Sequence, residues 1–260
     1  MGLLEEVKTG VDPNSPVMIC IMSRPGMCKS TMAGDSPNHI IGNYDDGLGE
    51  IDCTQVPMMN KSLDDAMDLI KEIANLDPCP YEWFWIDSYD KLQQQAERDV
   101  CKEHGWSSIE EPGYGKGNKY VGEKVGRLTR AMKWASKKIY REQGKALNIG
   151  VTCHCQIRSV MEPHIGESYD LYTMKLNKHV SADLYEACDA VLFGTVKTVT
   201  RTKTGDFGKR TTQGIVTGER ILYTSAMTGV DCKNRFGLPP EIPADMGNLL
   251  KLIKKSRTGE

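Results

Sequence analysis

The residues with the clearest chemical pattern are SRPGMCKS at positions 23–30, directly after an apolar run. In the pattern G-x-x-x-x-G-K-[ST], backbone amides surround phosphates, the Lys contacts the β and γ oxygens, and the hydroxyl binds Mg²⁺. Lys29 and Ser30 occupy the last two positions, whereas Ser23 and Cys28 stand where glycines are expected. The sequence therefore predicts a nucleoside triphosphate site after a buried strand. Its predicted binding residues are Ser23, Arg24, Pro25, Gly26, Met27, Cys28, Lys29, Ser30 and Thr31.

The two glycine replacements affect how well such a loop can work. The position before the Lys can require backbone freedom and close approach of a phosphate, which the β-carbon of Cys28 obstructs. Ser23 is a milder change if its φ angle is negative. Cys28 also lies where Lys29 and a helix N-terminus favour a thiolate, so an oxidisable regulatory thiol is an alternative that we favour less. The sequence is compatible with a weakened hydrolase, a nucleotide binder without turnover, or a chain with inactivating changes.

A second candidate is Asp87, which ends the apolar run at 83–86 and is followed by Ser88. A hydrophobic strand that ends in Asp places a carboxylate beside Mg²⁺ in nucleotide-hydrolysing enzymes. The alternative is that Asp87 caps the helix predicted to follow it. The segment alone does not separate the two. Because Lys29 and Ser30 lie upstream in the right order, we favour a metal site formed by Ser30 and Asp87.

Length and composition set broader limits. The chain has 260 residues, a net charge of −2 and nine cysteines in no regular framework, which predicts one domain over residues 1–260 with reduced thiols. No apolar run approaches the ~20 residues that span a bilayer, and no secretory signal is evident, so we expect a cytoplasmic protein without a membrane partner. Cys153 and Cys155, at the end of a predicted strand, can share one face of it, while His154 between them points to the other face. This arrangement does not favour zinc.

Apolar runs alternate with helical patterns along most of the chain. This alternation predicts an α/β fold with a mostly parallel central sheet and helices on its faces. A later segment, 195–224, is rich in Thr, Gly and basic residues and predicts a C-terminal β-hairpin extension with its turn at 204–206. Predicted strands are 17–22, 39–43, 83–87, 147–152 and 190–196; predicted helices are 63–75, 89–104, 120–143 and 182–187. Loops are predicted at 113–117 and 163–170.

Residues 116–145 are locally basic, with ten Lys or Arg against two Glu. Tyr120, Trp134 and Tyr140 are interleaved with these cations, as a surface that stacks single-stranded bases requires. The alternative is a solvated helix face, with Trp134 in the core. A second candidate contact consists of Arg201, Lys203, Lys209 and Arg210 on the predicted hairpin.

Several motifs in order carry a resemblance to a known family. They are SRPGMCKST, NYDDGL at 43–48, WFWIDS at 83–88, VTCHCQ at 151–156 and the ending KNRFGLPPEIPADMGNLLKLI at 233–253. Together they resemble phage-encoded RecA-like ATP-binding recombination proteins, which are P-loop NTPases linked to single-strand annealing. The resemblance implies a RecA-like fold, ATP and Mg²⁺ as ligands, single-stranded DNA as a partner, a homo-oligomer and the cytoplasm of a host cell. A single-strand DNA-binding protein is a further partner that it implies.

The resemblance also implies residue roles. Asp45 takes the position of the acid that activates the attacking water, although that acid is a Glu in the family. His154 resembles the polar residue that senses the γ-phosphate, while Lys29 keeps its role on the phosphates. Lys233 and Arg235 resemble the basic pair that reaches a neighbour's nucleotide; a solvated turn is the alternative.

Three functions follow as hypotheses. The leading one is an ATP-dependent RecA-like protein that acts on single-stranded DNA, with weak ATPase activity because both loop glycines are replaced. The second is a P-loop protein that regulates a protein partner without DNA. The third is a non-catalytic relic of the fold.

Overall fold

The computed structural model describes residues 10–27, 29–161, 166–204, 210–227 and 229–259, with only the backbone path for 199–216. Strands and helices alternate through most of this length. The strands are β1 (Met18–Ser23), β2 (His39–Asn43), β3 (Gln55–Pro57), β4 (Trp83–Asp87), β5 (Asn148–Met161), β6 (Ser168–Met174), β7 (Ala190–Thr204), β8 (Arg210–Tyr223), β9 (Lys233–Asn234) and β10 (Glu241–Pro243). The helices are α1 (Lys29–Gly34), α2 (Leu63–Ala74), α3 (Tyr89–His104), α4 (Lys116–Gln143), α5 (Lys178–Ala187) and α6 (Met246–Thr258).

One sheet runs through the protein in the order β10-β8-β7-β1-β5-β4-β2-β3, with β6 paired to β5 and β9 to β7. The strands from β7 to β3 in this order are parallel, while β8 is antiparallel to both β7 and β10. The predicted fold class is therefore confirmed as an α/β fold with a mostly parallel central sheet flanked by helices. The single-domain assignment stays a prediction.

The sheet buries both of its faces. Along β1, Met18, Cys20 and Met22 pack with residues of α2, α3, α4 and α5, whereas Ile19 and Ile21 pack with residues of α1 and α6. This alternation explains why β1 reads as a continuous apolar run, since a parallel strand is covered on both sides. Helix α1, which follows the predicted phosphate-binding loop, lies on the second of these faces.

Gly150 of β5 allows a large side chain to lie across the sheet. A β-carbon there would stand 2.2 Å from the ring of Trp85 on β4, so only glycine fits. The Trp85 indole N–H in turn donates to Ser36 Oγ at 2.8 Å, after α1. The strand that ends in Asp87 is therefore anchored to the segment that follows α1.

Two antiparallel hairpins extend beyond the carboxyl edge of the parallel strands. Strand β1 ends at Ser23, opposite His154 of β5 and Gly194 of β7. Beyond these pairs, β5 continues to Met161 against β6, and β7 continues to Thr204 against β8. The predicted strand at 147–152 is thus too short, and the predicted loop at 163–170 is wrong from Ser168 onward.

The β7–β8 pairing confirms the predicted hairpin, although residues 205–209 at its turn lie outside the described residues. Lys209 of the second candidate DNA contact falls in that gap. No helix in the described parts of the chain combines the length and apolarity needed to cross a bilayer.

Candidate functional site

A cavity of about 330 Å³ opens at the carboxyl edge of the sheet, where β1 and β4 end and β5 leaves the parallel strands to pair with β6. It brings together residues from five separate parts of the sequence. The residues that line it include Pro25, Gly26, Met27, Lys29, Ser30, Thr31, Asp45, Asp87, His154 and Arg220. The predicted loop, the predicted metal carboxylate, the predicted water-activating acid and the predicted sensor therefore share one cavity.

The loop turns sharply between β1 and α1. Gly26 has a φ of +77°, a left-handed conformation that glycine adopts without strain. Ser23, which replaces the first glycine of the pattern, is fully buried, and its Oγ donates to the carbonyl of Arg24 at 2.9 Å. A β-carbon on Gly194 opposite would lie 3.3 Å from Ser23 Cβ, so glycine at 194 leaves room for this serine. Cys28 lies outside the described residues.

Lys29 is the most unusual charge in the cavity. Its side chain is buried, with 6% of the residue exposed. Its Nζ donates to Ser23 Oγ at 3.1 Å and to the Arg24 carbonyl at 3.2 Å, both neutral oxygens. Within the described residues, no carboxylate oxygen lies within 4.0 Å of this Nζ. Burial lowers the pKa of Lys29, although Asp87 and Asp90 oppose that shift.

Asp87 lies at the end of β4, is buried, and accepts a short hydrogen bond from the hydroxyl of Thr152 on β5. The capping alternative for Asp87 is wrong, because the N-cap residue of α3 is Ser88. Neighbouring strands therefore fix this carboxylate next to the loop. Mg²⁺ typically binds one or two carboxylates together with phosphate oxygens and water, so Asp87 with the Ser30 hydroxyl fits such an ion.

His154 and Asp45 complete the polar lining. His154 Nδ1 lies 2.9 Å from Asp90 Oδ2, and its backbone N–H donates to Asp90 Oδ1 at 3.0 Å. Burial disfavours ionisation of Asp90, but these bonds outweigh it and lower its pKa. An ionised Asp90 holds the proton on Nδ1 and leaves Nε2 for the cavity. The Asp45 backbone N–H donates to the side chain of Asn43 at 3.1 Å, which shapes the turn after β2.

Arg24, unlike its neighbours in the loop, turns away from the cavity. Its guanidinium carbon lies 5.1 Å from the ring centre of Tyr172 on β6, and its Nη2 makes a short contact with the Tyr172 hydroxyl. Tyr172 in turn stacks on Phe193 of β7, with 5.0 Å between ring centres. Arg24 therefore joins the loop to both hairpins.

Arg220 is the cavity residue that sequence reasoning missed. It is exposed, lies on β8 opposite Val196, and comes from a segment far from every recognised motif. The available signal was the basic character of the hairpin, which instead pointed to Arg201, Lys203 and Arg210. Those three lie in β7 and β8, beyond the bulge that follows Val196.

Lys233 and Arg235 are not part of this cavity. Lys233 belongs to β9, which pairs with Ala190 and Val191 at the start of β7, on the opposite edge of the sheet. Its Nζ donates to the carbonyls of Tyr185 at 2.7 Å and Glu186 at 3.1 Å, and Arg235 lies 3.2 Å from Asp189. Contact with a neighbouring subunit's nucleotide stays a prediction.

Part of the predicted basic segment forms an outward stripe along α4, whereas Lys124, Lys133 and Lys138 contact Glu103 and the carbonyls of Ala187 and Ala74. Tyr120 and Trp134 are exposed, which is the solvent position that stacking requires, whereas the Tyr140 hydroxyl donates to Asp12 at 2.6 Å. Tyr120 also lies beside His104 and Trp106, with ring centres 4.8 Å and 5.8 Å away. The exposed stripe consists of Lys119, Tyr120, Glu123, Arg127, Arg130, Trp134, Lys137 and Arg141.

Comparison with known proteins agrees with the geometry at the level of the family. No curated protein matches the sequence significantly. A family model described as the AAA domain matches residues 15–236, which include the loop, Asp45, Asp87, His154 and Arg220. Domains of this type are P-loop nucleotide-binding domains that generally bind ATP with Mg²⁺. Because the match covers most of the 260 residues, the chain belongs to the AAA domain family.

Proposed function

We propose that the chain is an ATP-binding RecA-like protein that hydrolyses ATP slowly and acts on single-stranded DNA in phage recombination or repair. The observation that carries the nucleotide part is the buried Lys29 ammonium, whose described partners are neutral, beside Asp87 in a cavity. An ammonium held this way is stabilised when an anion enters, since a buried charge without a counter-charge is costly. A triphosphate supplies that charge.

Each residue of the cavity has a chemical task in this proposal. Lys29 neutralises the β and γ oxygens, and Ser30 with Asp87 would hold Mg²⁺. When bound, Mg²⁺ offsets the negative charge that develops between the phosphates. Asp45 orients the attacking water, and His154, held in place by Asp90, contacts the terminal phosphate. Asp45 is one methylene shorter than Glu, and an error of about 1 Å can cost ~10²-fold in rate, which supports slow turnover.

The test is ATP binding and hydrolysis by the wild-type chain and by Cys28→Gly, each with Mg²⁺ or with EDTA. We expect Mg²⁺-dependent binding and slow hydrolysis, faster in Cys28→Gly because the phosphate can approach the loop more closely. A folded protein that binds no ATP in either form would contradict the proposal and favour a relic of the fold. Binding without hydrolysis in both forms would favour a nucleotide-dependent regulator.

The DNA part of the proposal is supported by the α4 stripe. Single-stranded DNA is bound by cations that follow the backbone and by aromatic rings that stack bases. Arg127, Arg130 and Lys137 are exposed, and none of them makes an ion pair or side-chain hydrogen bond with another described residue. Trp134 lies between them on the same face, with 49% of its surface exposed.

The DNA test compares two double variants that remove equal charge. Arg127→Gln with Arg130→Gln should weaken oligonucleotide binding and lower the slope of log affinity against log salt by roughly 1 to 2, as fewer counterions are released. Lys251→Gln with Lys254→Gln on α6 is the control and should bind like the wild type. Salt-insensitive or absent DNA binding by the wild type would favour the alternative, a regulator of a protein partner. Stimulation of ATP hydrolysis by DNA would link the two sites.

We also propose a homo-oligomer in which the carboxyl edge of one sheet faces the amino edge of the next. Such a head-to-tail contact would carry Lys233 and Arg235 to a neighbour's nucleotide, in a ring or a filament. A single-strand DNA-binding protein is proposed as a further partner at the DNA.

A further inference from the structure

We propose that Arg220 binds the terminal phosphate of ATP, so that the β7–β8 hairpin responds to whether ATP or ADP is bound. This inference rests on the proposed nucleotide function of the cavity. It adds to the cavity a phosphate-binding residue that lies outside the recognised motifs. The contact is made within one chain, so it differs from the contact proposed for Lys233 and Arg235.

The register of the sheet places Arg220 above the loop. Gly194 of β7 lies opposite Ser23, where β1 ends, and pairs with Leu222 of β8. Arg220 is two residues further toward the hairpin tip, so its backbone lies about 7 Å beyond the end of β1. Leu222 packs with α1 and α6, and residues two apart in a strand share a face. Arg220 therefore lies on the face of the sheet that carries α1.

A β-bulge next to Arg220 supports a functional position for its side chain. The pairs Thr198–Val216 and Val196–Arg220 leave residues 217–219 of β8 opposite Lys197 alone. Gly218 has a φ of +86°, and the Thr217 hydroxyl donates to the Lys197 carbonyl at 2.9 Å, which holds the extra residues in place. Bulges are common beside active sites, where they redirect a side chain.

The charges in the cavity also favour a second cation. Its described lining carries two carboxylates, Asp45 and Asp87, and two basic side chains, Lys29 and Arg220. Without Arg220, one cation and two carboxylates would face an anionic Mg²⁺–ATP complex. The Arg220 guanidinium makes no hydrogen bond or ion pair with another described residue, so it is available to a ligand. A guanidinium can hold two phosphate oxygens at once, which an ammonium cannot do.

The decisive experiment measures the affinities of Arg220→Gln for a non-hydrolysable ATP analogue and for ADP, both with Mg²⁺. We expect the analogue to bind roughly 10- to 100-fold more weakly than to the wild type, the effect of losing hydrogen bonds to a charged group. ADP should bind within about threefold of the wild type. Arg220→Lys should fall between the two because it keeps the charge but loses the paired donors.

Lys197→Gln is the matched control, since Lys197 belongs to the same hairpin base but pairs with Glu241 at 2.7 Å and does not line the cavity. It should leave the affinities for both nucleotides unchanged. As a second readout, the analogue should slow hydrogen exchange at 196–204 and 210–220 more than ADP does in the wild type, and this difference should disappear in Arg220→Gln.

The outcomes separate the inference from the proposed function. A folded wild-type chain that binds neither nucleotide would overturn both. If the wild type binds both nucleotides and Arg220→Gln keeps the same ratio of ATP-analogue to ADP affinity, the assignment of Arg220 is wrong and the proposed function stands. This outcome includes equal weakening for the two nucleotides, because the contact would then not be to the terminal phosphate.

Discussion

The two edges of the parallel sheet hold buried or half-buried cations in different surroundings. At the carboxyl edge, Lys29 donates to a hydroxyl and a carbonyl of its own loop and faces a cavity with Asp87. At the amino edge, Lys233 donates to two carbonyls in the last turn of α5 and lies 5.4 Å from the ring centre of Tyr185. Arg235 beside it pairs with Asp189.

Burial lowers the pKa of both Lys29 and Lys233, so the two cations differ in their surroundings: helix-end carbonyls for Lys233, and an open cavity for Lys29. The end of a helix carries partial negative charge on its carbonyls, so Lys233 is stabilised by α5 itself. Lys29 is the first residue of α1, where the helix end carries partial positive charge, and no described carboxylate oxygen lies within 4.0 Å of its Nζ. In the proposed function, an anion from outside the chain supplies the counter-charge for Lys29, which is why the carboxyl edge carries the nucleotide proposal.

The largest expected effect on nucleotide affinity is at the carboxyl edge. Lys29→Ala should reduce ATP affinity by about 100-fold or more, because hydrogen bonds to charged groups are worth about 1.5–3 kcal/mol each and Lys contacts two phosphates. Lys233→Ala should change ATP affinity by less than about threefold at protein concentrations where the chain is a monomer. Calorimetric titration of both variants measures their ATP affinities. An equal loss of affinity in Lys29→Ala and Lys233→Ala would contradict the proposed difference between the two edges.

The contrast between the edges was only partly predictable from the sequence. The apolar runs at 39–43 and 83–87 predicted β2 and β4 with their observed bounds, and the residues following β1 and β4 gave Lys29 and Asp87. These strands are buried on both faces, so hydrophobicity alone marks them. In contrast, β5 continues through exposed residues to Met161 because β6 supplies its hydrogen bonds, a pairing that hydrophobicity does not reveal.

Two features, helix α6 and the position of Arg220, were not predicted from the sequence, for different reasons. Helix α6 has an amphipathic sequence and a capping Asp245 whose side chain accepts from the Asn248 N–H at 2.6 Å, so its signal was present in the sequence. Arg220 was not predictable, because its place depends on the register of β8 and on the bulge at 217–219. The local partners of Lys233 and Arg235 are likewise set by tertiary packing, which motifs do not encode.

The largest expected effect on turnover is at the amino edge. Lys233→Ala combined with Arg235→Ala should leave ATP affinity nearly unchanged and reduce the hydrolysis rate by ~10³-fold, the range seen when a transition-state cation is removed. Wild-type turnover per chain should then rise with protein concentration, in parallel with oligomer formation measured by sedimentation.

The same double variant should lose only about 1 kcal/mol of stability, since it removes one helix-end contact and one exposed ion pair. Unchanged turnover with that loss of stability would show that the amino-edge pair is structural. The concentration dependence of turnover distinguishes this outcome from a general weakening of the fold.

The smallest effect is a pH dependence of stability that belongs to the carboxyl edge. Burial lowers the pKa of Lys29 in the folded protein from its ordinary value of 10.5. Between the lowered pKa and 10.5, the unfolded chain therefore binds more protons at this side chain than the folded chain does. Under that condition the free energy of unfolding increases with pH. Without nucleotide, we expect wild-type stability to rise relative to Lys29→Met across this alkaline window.

Denaturant titrations of both proteins at several pH values measure this difference, and the contributions of Lys233 and the buried tyrosines cancel because both proteins contain them. Saturating Mg²⁺–ATP should abolish the rise, because the phosphates keep the Lys29 ammonium charged in the folded state. Parallel stability curves for the wild type and Lys29→Met would mean that Lys29 is as well solvated as an ordinary lysine. The Lys29 ammonium would then need no counter-charge, and the nucleotide proposal would lose the observation on which it rests.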